Sequence, residues 1–297
     1  MERKLYLECS TGISGDMTVA SLIDLGADVE VLQRTIDSLK EKVSGFDIKI
    51  SDVEKSGIIV KDFDVILETD NHDHDMEYLY GHEHHSHDHS HHDHNHDHQH
   101  EHSHEHTDHH NHDPHHEGHG YLHVHRSLKD VVEIINAADM TEDARALAVK
   151  IFTIVANAEA AVHGKAIDEV HFHEVGSIDS IVDIISAAVC FDNLVKKYEI
   201  HDVIVTGMVD GTGTVRCQHG ILPIPVPAVL KIAEQTGVPI IISGRQGEYV
   251  TPTGAAFAAA VMTDTKLPGS MRIIKTGLGA GKRNQEVPGV LRTLLYE

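Results

Sequence analysis

The 297-residue sequence predicts an α+β fold: small mixed sheets with packed helices, interrupted by a disordered His-rich insertion. Three observations carry that expectation. Apolar residues alternating with period 2 mark strands, and these are mixed with period-3.6 helical stretches in no regular βαβ order. Turn signals join several strands as hairpins. Between His72 and His125 lie 24 of the 29 histidines, with 12 acids and no lysine or arginine. Imidazoles and carboxylates at that density cannot all be buried with partners, so this tract belongs in water. The chain accordingly divides into an N-terminal α/β unit (1–70), a His-rich metal-binding insertion (71–120) and an α+β body (121–297).

In the first unit, Leu5-Tyr6-Leu7 reads as a strand, residues 10–15 as a Gly-rich turn, and 17–25 as a helix stopped by Gly26. A second helix covers 29–39, with Val31, Leu32, Ile36 and Leu39 near one face. Phe46, Ile48 and Ile50 alternate, and after Lys55-Ser56-Gly57 the pattern resumes over 58–67, which is a hairpin signal. Beyond the insertion, Ser127 with Asp130 forms a capping-box pattern for a helix through Ala138. Thr141 opens a longer one, in which Ala144, Ala148, Ile151, Val155 and Val162 recur at helical spacing until Gly164. Strands follow at 203–209 and 214–217, joined through Asp210-Gly211, a favoured hairpin dipeptide. A helix over 228–234, a strand over 239–243, a helix from Thr251-Pro252 to Met262, and strands over 271–275 and 290–295 complete the body.

The formal net charge is −23, and the tract supplies −12 of it. That balance excludes nucleic acid and anionic membrane as main partners, since both demand a basic surface. Tryptophan is absent, which removes the best base-stacking side chain. Cys9, Cys190 and Cys217 form no Cys-x-x-Cys pair, the N-terminus has no secretory pattern, and no apolar run reaches the roughly 20 residues of a bilayer span. A reduced, cytoplasmic protein is expected, with no membrane partner.

The tract's chemical asset is ligand density. Neutral imidazole is the commonest protein ligand for zinc, nickel and copper, and carboxylates add oxygen donors. His84, His87, His89, His92, His94, His96, His98, His100, His102 and His104 are its densest run of candidate ligands, and His123 and His125 are placed to pass metal to the folded body. The bland alternative is a solvated linker grown by repeat expansion, with His123 and His125 simply its last members.

A second constellation is His171-Phe172-His173-Glu174-Val175-Gly176-Ser177-Ile178-Asp179-Ser180-Ile181-Val182-Asp183. In an extended segment His171 and His173 share a face, close enough to share a metal or phosphate. Asp179 and Asp183 stack four apart on the following helix. Ile181, Val182, Ile184 and Ile185 surround Asp183, and an acid buried there needs a partner or a cation. The competing reading has Asp179 complementing the helix dipole and Asp183 accepting hydrogen bonds from a loop. Ser10-Thr11-Gly12-Ile13-Ser14-Gly15-Asp16 lies between strand and helix, where N–H groups of Ser10, Gly12, Ser14, Gly15 and Asp16 can cradle a phosphate; a tight turn explains it equally well. Gly277-Leu278-Gly279-Ala280-Gly281-Lys282-Arg283 reads as another Gly-rich loop, with two cations for an anion, and Thr251-Pro252-Thr253-Gly254 as a helix cap. No Ser-His-Asp or Cys-His neighbourhood is recognisable.

Taken in order, Leu5-Tyr6-Leu7 with Ser10 to Met17, the internal His-rich insertion, His123-Val124-His125-Arg126-Ser127-Leu128-Lys129-Asp130, the His171 to Asp183 block and Thr251-Pro252-Thr253-Gly254-Ala255-Ala256 resemble the LarC nickel-insertion family over nearly the whole chain. The resemblance implies binding of Ni(II) and its CTP-dependent insertion into pyridinium-3,5-bisthiocarboxylic acid mononucleotide, a lyase-class step that makes the nickel-pincer cofactor. It also implies a further C-terminal domain holding the CTP and divalent-metal site, separately encoded or reached by a frameshift, because family members continue well beyond the equivalent of Glu297. Nickel binding is then expected of this piece, with insertion dependent on the missing portion. In that account His171, His173, Glu174, Asp179 and Asp183 are catalytic, the 10–16 loop holds the nucleotide, and the protein is a homo-oligomer. The alternatives are a nickel store or metallochaperone without chemistry and, last, a metal-dependent hydrolase using the His-x-His pair.

Overall fold

The computed structural model describes residues 2–68, 126–172, 176–217, 219–283 and 285–297. The insertion at 71–120, with His84, His87, His89, His92, His94, His96, His98, His100, His102 and His104, lies outside the described residues, as do His123, His125, His173 and Glu174.

A six-stranded mixed sheet organises the molecule in the order β2-β3-β11-β12-β1-β6. Its strands are β1 (Arg3–Glu8), β2 (Phe46–Lys55), β3 (Ile58–Leu67), β6 (Ile200–Ile204), β11 (Ile273–Ala280) and β12 (Val290–Tyr296). The β2–β3 hairpin pairs Phe46 with Leu67 through Lys55 with Ile58, as the alternation predicts. β12 runs antiparallel to both β1 and β11, while β6 lies parallel to β1. Strands from both sides of the insertion therefore share one sheet.

Helices α1 (Gly15–Leu25), α2 (Val29–Lys40), α3 (Leu128–Ala137), α4 (Glu142–His163), α5 (Ile178–Tyr198), α6 (Pro227–Thr236) and α7 (Pro252–Val261) complete the core. Their starts follow the sequence. Asp28 accepts from Glu30 and Val31 N–H, Ser127 and Asp130 form the reciprocal capping box, and Thr141 and Thr251 cap α4 and α7. Gly26 and Gly164 end α1 and α4 in the left-handed conformation, which costs glycine nothing. Leu5, Leu7, Leu22, Leu25, Ile36, Leu39 and Phe63 are fully buried, each worth roughly 1.5–3 kcal/mol of transfer free energy.

Three expectations are corrected. Asp210-Gly211 is no hairpin turn: it lies within β7 (Met208–Thr212), which pairs in parallel with β10 (Ile240–Gln246). The hairpin is instead formed by β8 (Thr214–Cys217) and β9 (Gly220–Pro223). Asp210 is fully buried, and its Oδ1 accepts N–H groups of Gly211, Tyr249 and Val250. The glycines of the supposed 277–283 loop belong largely to β11. A Cβ at Gly277 would stand 2.1 Å from the Ser21 carbonyl oxygen and one at Gly279 2.1 Å from that of Met17, so the glycines let α1 lie directly on the strand. Finally, α4 is long and apolar enough by length and composition to cross a bilayer, which no stretch was expected to be. Its Ile151, Phe152 and Val155 are fully buried, and it packs against α5, α6 and α7 as a core helix.

Candidate functional site

Helices α1 and α5 lie side by side in the same direction. Gly15 opens α1 against Asp183 in the second turn of α5, and at the other end Lys197 and Tyr198 of α5 donate to the carbonyls of Gly26 and Leu25. The α7 N-terminus joins them, since Thr251 N–H donates to Ile13 O at 3.0 Å and Ile13 bridges Val250. Three helix N-termini, each carrying partial positive charge, thus converge on the 10–16 loop.

That loop is held from both sides. Gly12 has φ of 91°, and a Cβ there would meet Tyr249 O at 2.0 Å. Its N–H donates to Cys9 O and that of Ile13 to Tyr249 O, so these two groups serve the fold. A Cβ on Gly15 would lie 2.5 Å from Asp183 Oδ2, so only glycine lets the two helices approach this closely. Asp16 accepts a short hydrogen bond from Ser14 Oγ.

The convergence brings together two motifs widely separated in the chain. Asp16 and Asp183 interact as neighbours, with Asp179 adding like charge from the first turn of α5. Burial, then the field of Asp16 and Asp179, pushes the Asp183 carboxyl well above the usual carboxylate range. Asp16 is also raised by burial, against the opposing pull of the Ser14 hydrogen bond and of Lys282. Asp183 as a residue is partly exposed, yet its Oδ1 is buried and has no hydrogen-bond partner among the described residues. A buried carboxylate oxygen in that state is costly unless a proton or cation meets it.

Lys282, just past β11, supplies the opposite charge. Its Nζ lies 2.7 Å from Asp62 Oδ1 and 3.4 Å from Asp64 Oδ1 on β3. Burial pulls its pKa down, but the hydrogen bond and fields of Asp62, Asp16 and Asp64 outweigh this and hold it above the ordinary lysine value. Asp62 and Asp64 were not singled out from the sequence. The available signal was acids at i and i+2 on a strand flanking the inward Phe63.

Arg126 and Ser127 form β4, paired with His171 and Phe172 of β5, so His171 sits at the point where the chain re-enters the body after the insertion. Arg126 Nη1 donates to Gly176 O at 2.8 Å, fixing that point beside the α5 N-terminus. Among the described residues, no three His, Cys, Asp or Glu side chains are already gathered as a metal-binding set. Asp16 and Asp183 offer two hard oxygen ligands, and such a pair leaves most of an octahedral ion's positions open to incoming groups. At the far side of the 10–16 loop, Arg245 donates to Ser10 O, and Arg283 pairs with Glu248.

A family model described as "Nickel insertion protein" matches residues 5–297. A relative from Alkaliphilus metalliredigens named "Pyridinium-3,5-bisthiocarboxylic acid mononucleotide nickel insertion protein" is 45% identical over 100% of this chain and 61% of its own length. Proteins with the same name from Clostridium acetobutylicum and Acetivibrio thermocellus are 41% and 36% identical, each over 99% of this chain and 64% and 60% of their own lengths. The chain therefore spans a little over three fifths of the curated relatives it matches. No solved structure matches it. From residue 5 to its last strand, this chain belongs to the nickel insertion protein family.

Proposed function

We propose that this chain takes part in inserting Ni(II) into pyridinium-3,5-bisthiocarboxylic acid mononucleotide, the task for which its relatives are named. The family match over residues 5–297 carries this reading. In it the ion is a substrate. The His-rich tract collects it, and the tract's downstream end is tied by Arg126 beside the helix that bears Asp179 and Asp183. Asp16 and Asp183 receive the ion between them, His171, His173 and Glu174 assist from the adjoining segment, and Lys282 balances the acids while the site is vacant. Oxygen and nitrogen donors suit a temporary seat, because nickel must leave them for thiocarboxylate sulfur, a softer ligand. The 10–16 loop and its helix N-termini take the nucleotide phosphate. CTP, with its divalent metal, is a co-substrate held by the portion of the relatives that this chain does not span.

The test is mass spectrometry of the pyridinium nucleotide after incubation with Ni(II), CTP and this chain, alone and together with the remaining portion of a relative. Nickel-bearing product is expected in the second mixture, and its yield should fall at least about tenfold with Asp183→Asn. Equal yield from the variant removes the acid pair from the mechanism.

The tract's composition favours a second reading, a nickel store without chemistry. Deleting residues 72–119 separates the two. A store loses nearly all function, whereas an insertion protein recovers it when nickel is supplied in excess.

A further inference from the structure

Lys282 is a cation beside the acid pair, fixed there from another strand. A Cβ on Gly281 would lie 3.0 Å from Met17 Sδ, so Lys282 leaves β11 alongside Asp16. Its Nζ is held by Asp62 and Asp64 on β3, at 2.7 and 3.4 Å, while its side chain stays 31% exposed and within reach of an incoming group. Asp16 and Asp183 both lie in its field. Neighbouring cations are engaged elsewhere: Arg283 with Glu248, Arg245 with Ser10 O and Arg126 with Gly176 O. The bonds of Lys282 also allow a plain structural reading, because β3 meets β11 at the single register pair Lys61 and Gly279, and the lysine strengthens that seam.

We propose that the Lys282 ammonium pairs with a thiocarboxylate oxygen of the pyridinium nucleotide and so aims the sulfur at the ion between Asp16 and Asp183. The inference rests on the nickel-insertion reading and adds how the site orients its substrate. A thiocarboxylate brought to an ion seated on carboxylates meets like charge at close range, and a cation at the rim offsets that repulsion. The choice of atom follows from hardness. An ammonium is a compact, strongly hydrated charge that bonds to oxygen, whereas a borderline-soft metal ion gains more from sulfur. Holding the oxygen of a group that turns about one bond to the ring fixes the direction of its sulfur. Asp62 and Asp64 draw the ammonium toward β3, which counters its attraction to Asp16 and Asp183 and keeps that pair available to the ion.

Equilibrium dialysis of the full chain, without nickel, tests this against three ligands: pyridinium-3,5-bisthiocarboxylic acid mononucleotide, its dicarboxylate analogue, and the pyridinium mononucleotide with hydrogen at both ring positions. Lys282→Met should weaken binding of the first two at least about tenfold, the loss expected of one charge-assisted hydrogen bond, and leave the third within about twofold. Lys282→Arg should recover most of the affinity. Lys282→Gln, which keeps a donor for Asp62, should behave as the methionine variant does, and it replaces that variant if circular dichroism shows the methionine chain unfolded. Equal weakening of all three ligands assigns Lys282 to the phosphate or to the seam and overturns the inference. So do unchanged binding of the first two, a loss confined to the sulfur compound, and no binding of the first ligand by the native chain. The reading beneath it falls separately, when the insertion mixture described above yields no nickel-bearing product.

Discussion

Two acids with buried carboxylate oxygens, Asp183 and Asp210, meet different charge environments in the same molecule. Burial raises both carboxyl groups. Asp210 Oδ1 accepts from three backbone N–H donors and its carboxylate feels the field of Arg283, which ties the 247–250 segment to β7, although its Oδ2, like Asp183 Oδ1, has no hydrogen-bond partner among the described residues. Asp183 is given further negative charge by Asp16 and Asp179, with Lys282 opposing, and its Oδ1 has no hydrogen-bond partner among the described residues. A carboxylate that meets donors is part of the scaffold. One that meets other carboxylates costs stability, and such a cost is retained at sites that handle protons or cations.

The contrast can be broken most severely at Asp210. Asp210→Ala should destabilise the fold by about 3 kcal/mol or more, because three N–H groups lose their acceptor in a buried place. Chemical denaturation would read this directly, and a loss below about 1 kcal/mol would contradict the scaffold role. Gly15→Ala should cost about 1–3 kcal/mol, since a methyl 2.5 Å from Asp183 Oδ2 must push the carboxylate or α1 aside. Under the proposed function, nickel insertion by the chain supplied with the remaining portion of a relative should fall with it.

Asp183→Asn should act in the other direction, stabilising the protein by about 1 kcal/mol at pH 7. The sign follows from the raised pKa. Such an acid gives its full contribution to folding below its unfolded pKa of about 3.9 and loses it as pH rises through the folded value. The advantage of the variant should therefore be present at neutral pH and vanish toward pH 4. Thermal melts across that range would show it, and a variant less stable than the native chain at pH 7 would refute the account. The smallest effect belongs to Asp210→Asn, which keeps an acceptor oxygen for the three N–H groups and should change stability by less than about 1 kcal/mol.

Local order was legible in the sequence wherever one physical signal sufficed. Ser127, Thr141 and Thr251 cap helices because their hydroxyls satisfy N–H groups, and the apolar periodicity of α2 and the β2–β3 hairpin reappears as burial. Signals with two physical meanings misled. Asp-Gly favours a tight turn, but the same pair serves a strand whose aspartate anchors a neighbouring loop. Glycines repeated at 277 and 279 suit an anion-binding loop, and equally a strand on which a helix rests. At the candidate site, Asp183 was legible as a buried acid needing a partner, and the 10–16 loop as special. Their meeting was not, because it depends on which helices pack together, and nothing local to either segment encodes that. Lys282 reads from the sequence as a cation for an anionic ligand, and its acid partners Asp62 and Asp64 escaped for the same reason.

The position of β12 sets the order in which the molecule can assemble. Lys4 pairs with Tyr296 and Arg3 with Ile200, so the first strand made finds neither neighbour until far later in synthesis. β11, too, waits for β12 on its antiparallel side. Until residue 296 has emerged from the ribosome, α1 has no completed sheet to rest upon, and two strand edges stay open to wrong partners. Contacts so distant in sequence make folding slow and prone to aggregation. Deleting residues 290–296 would withdraw the strand that joins the two halves of the sheet.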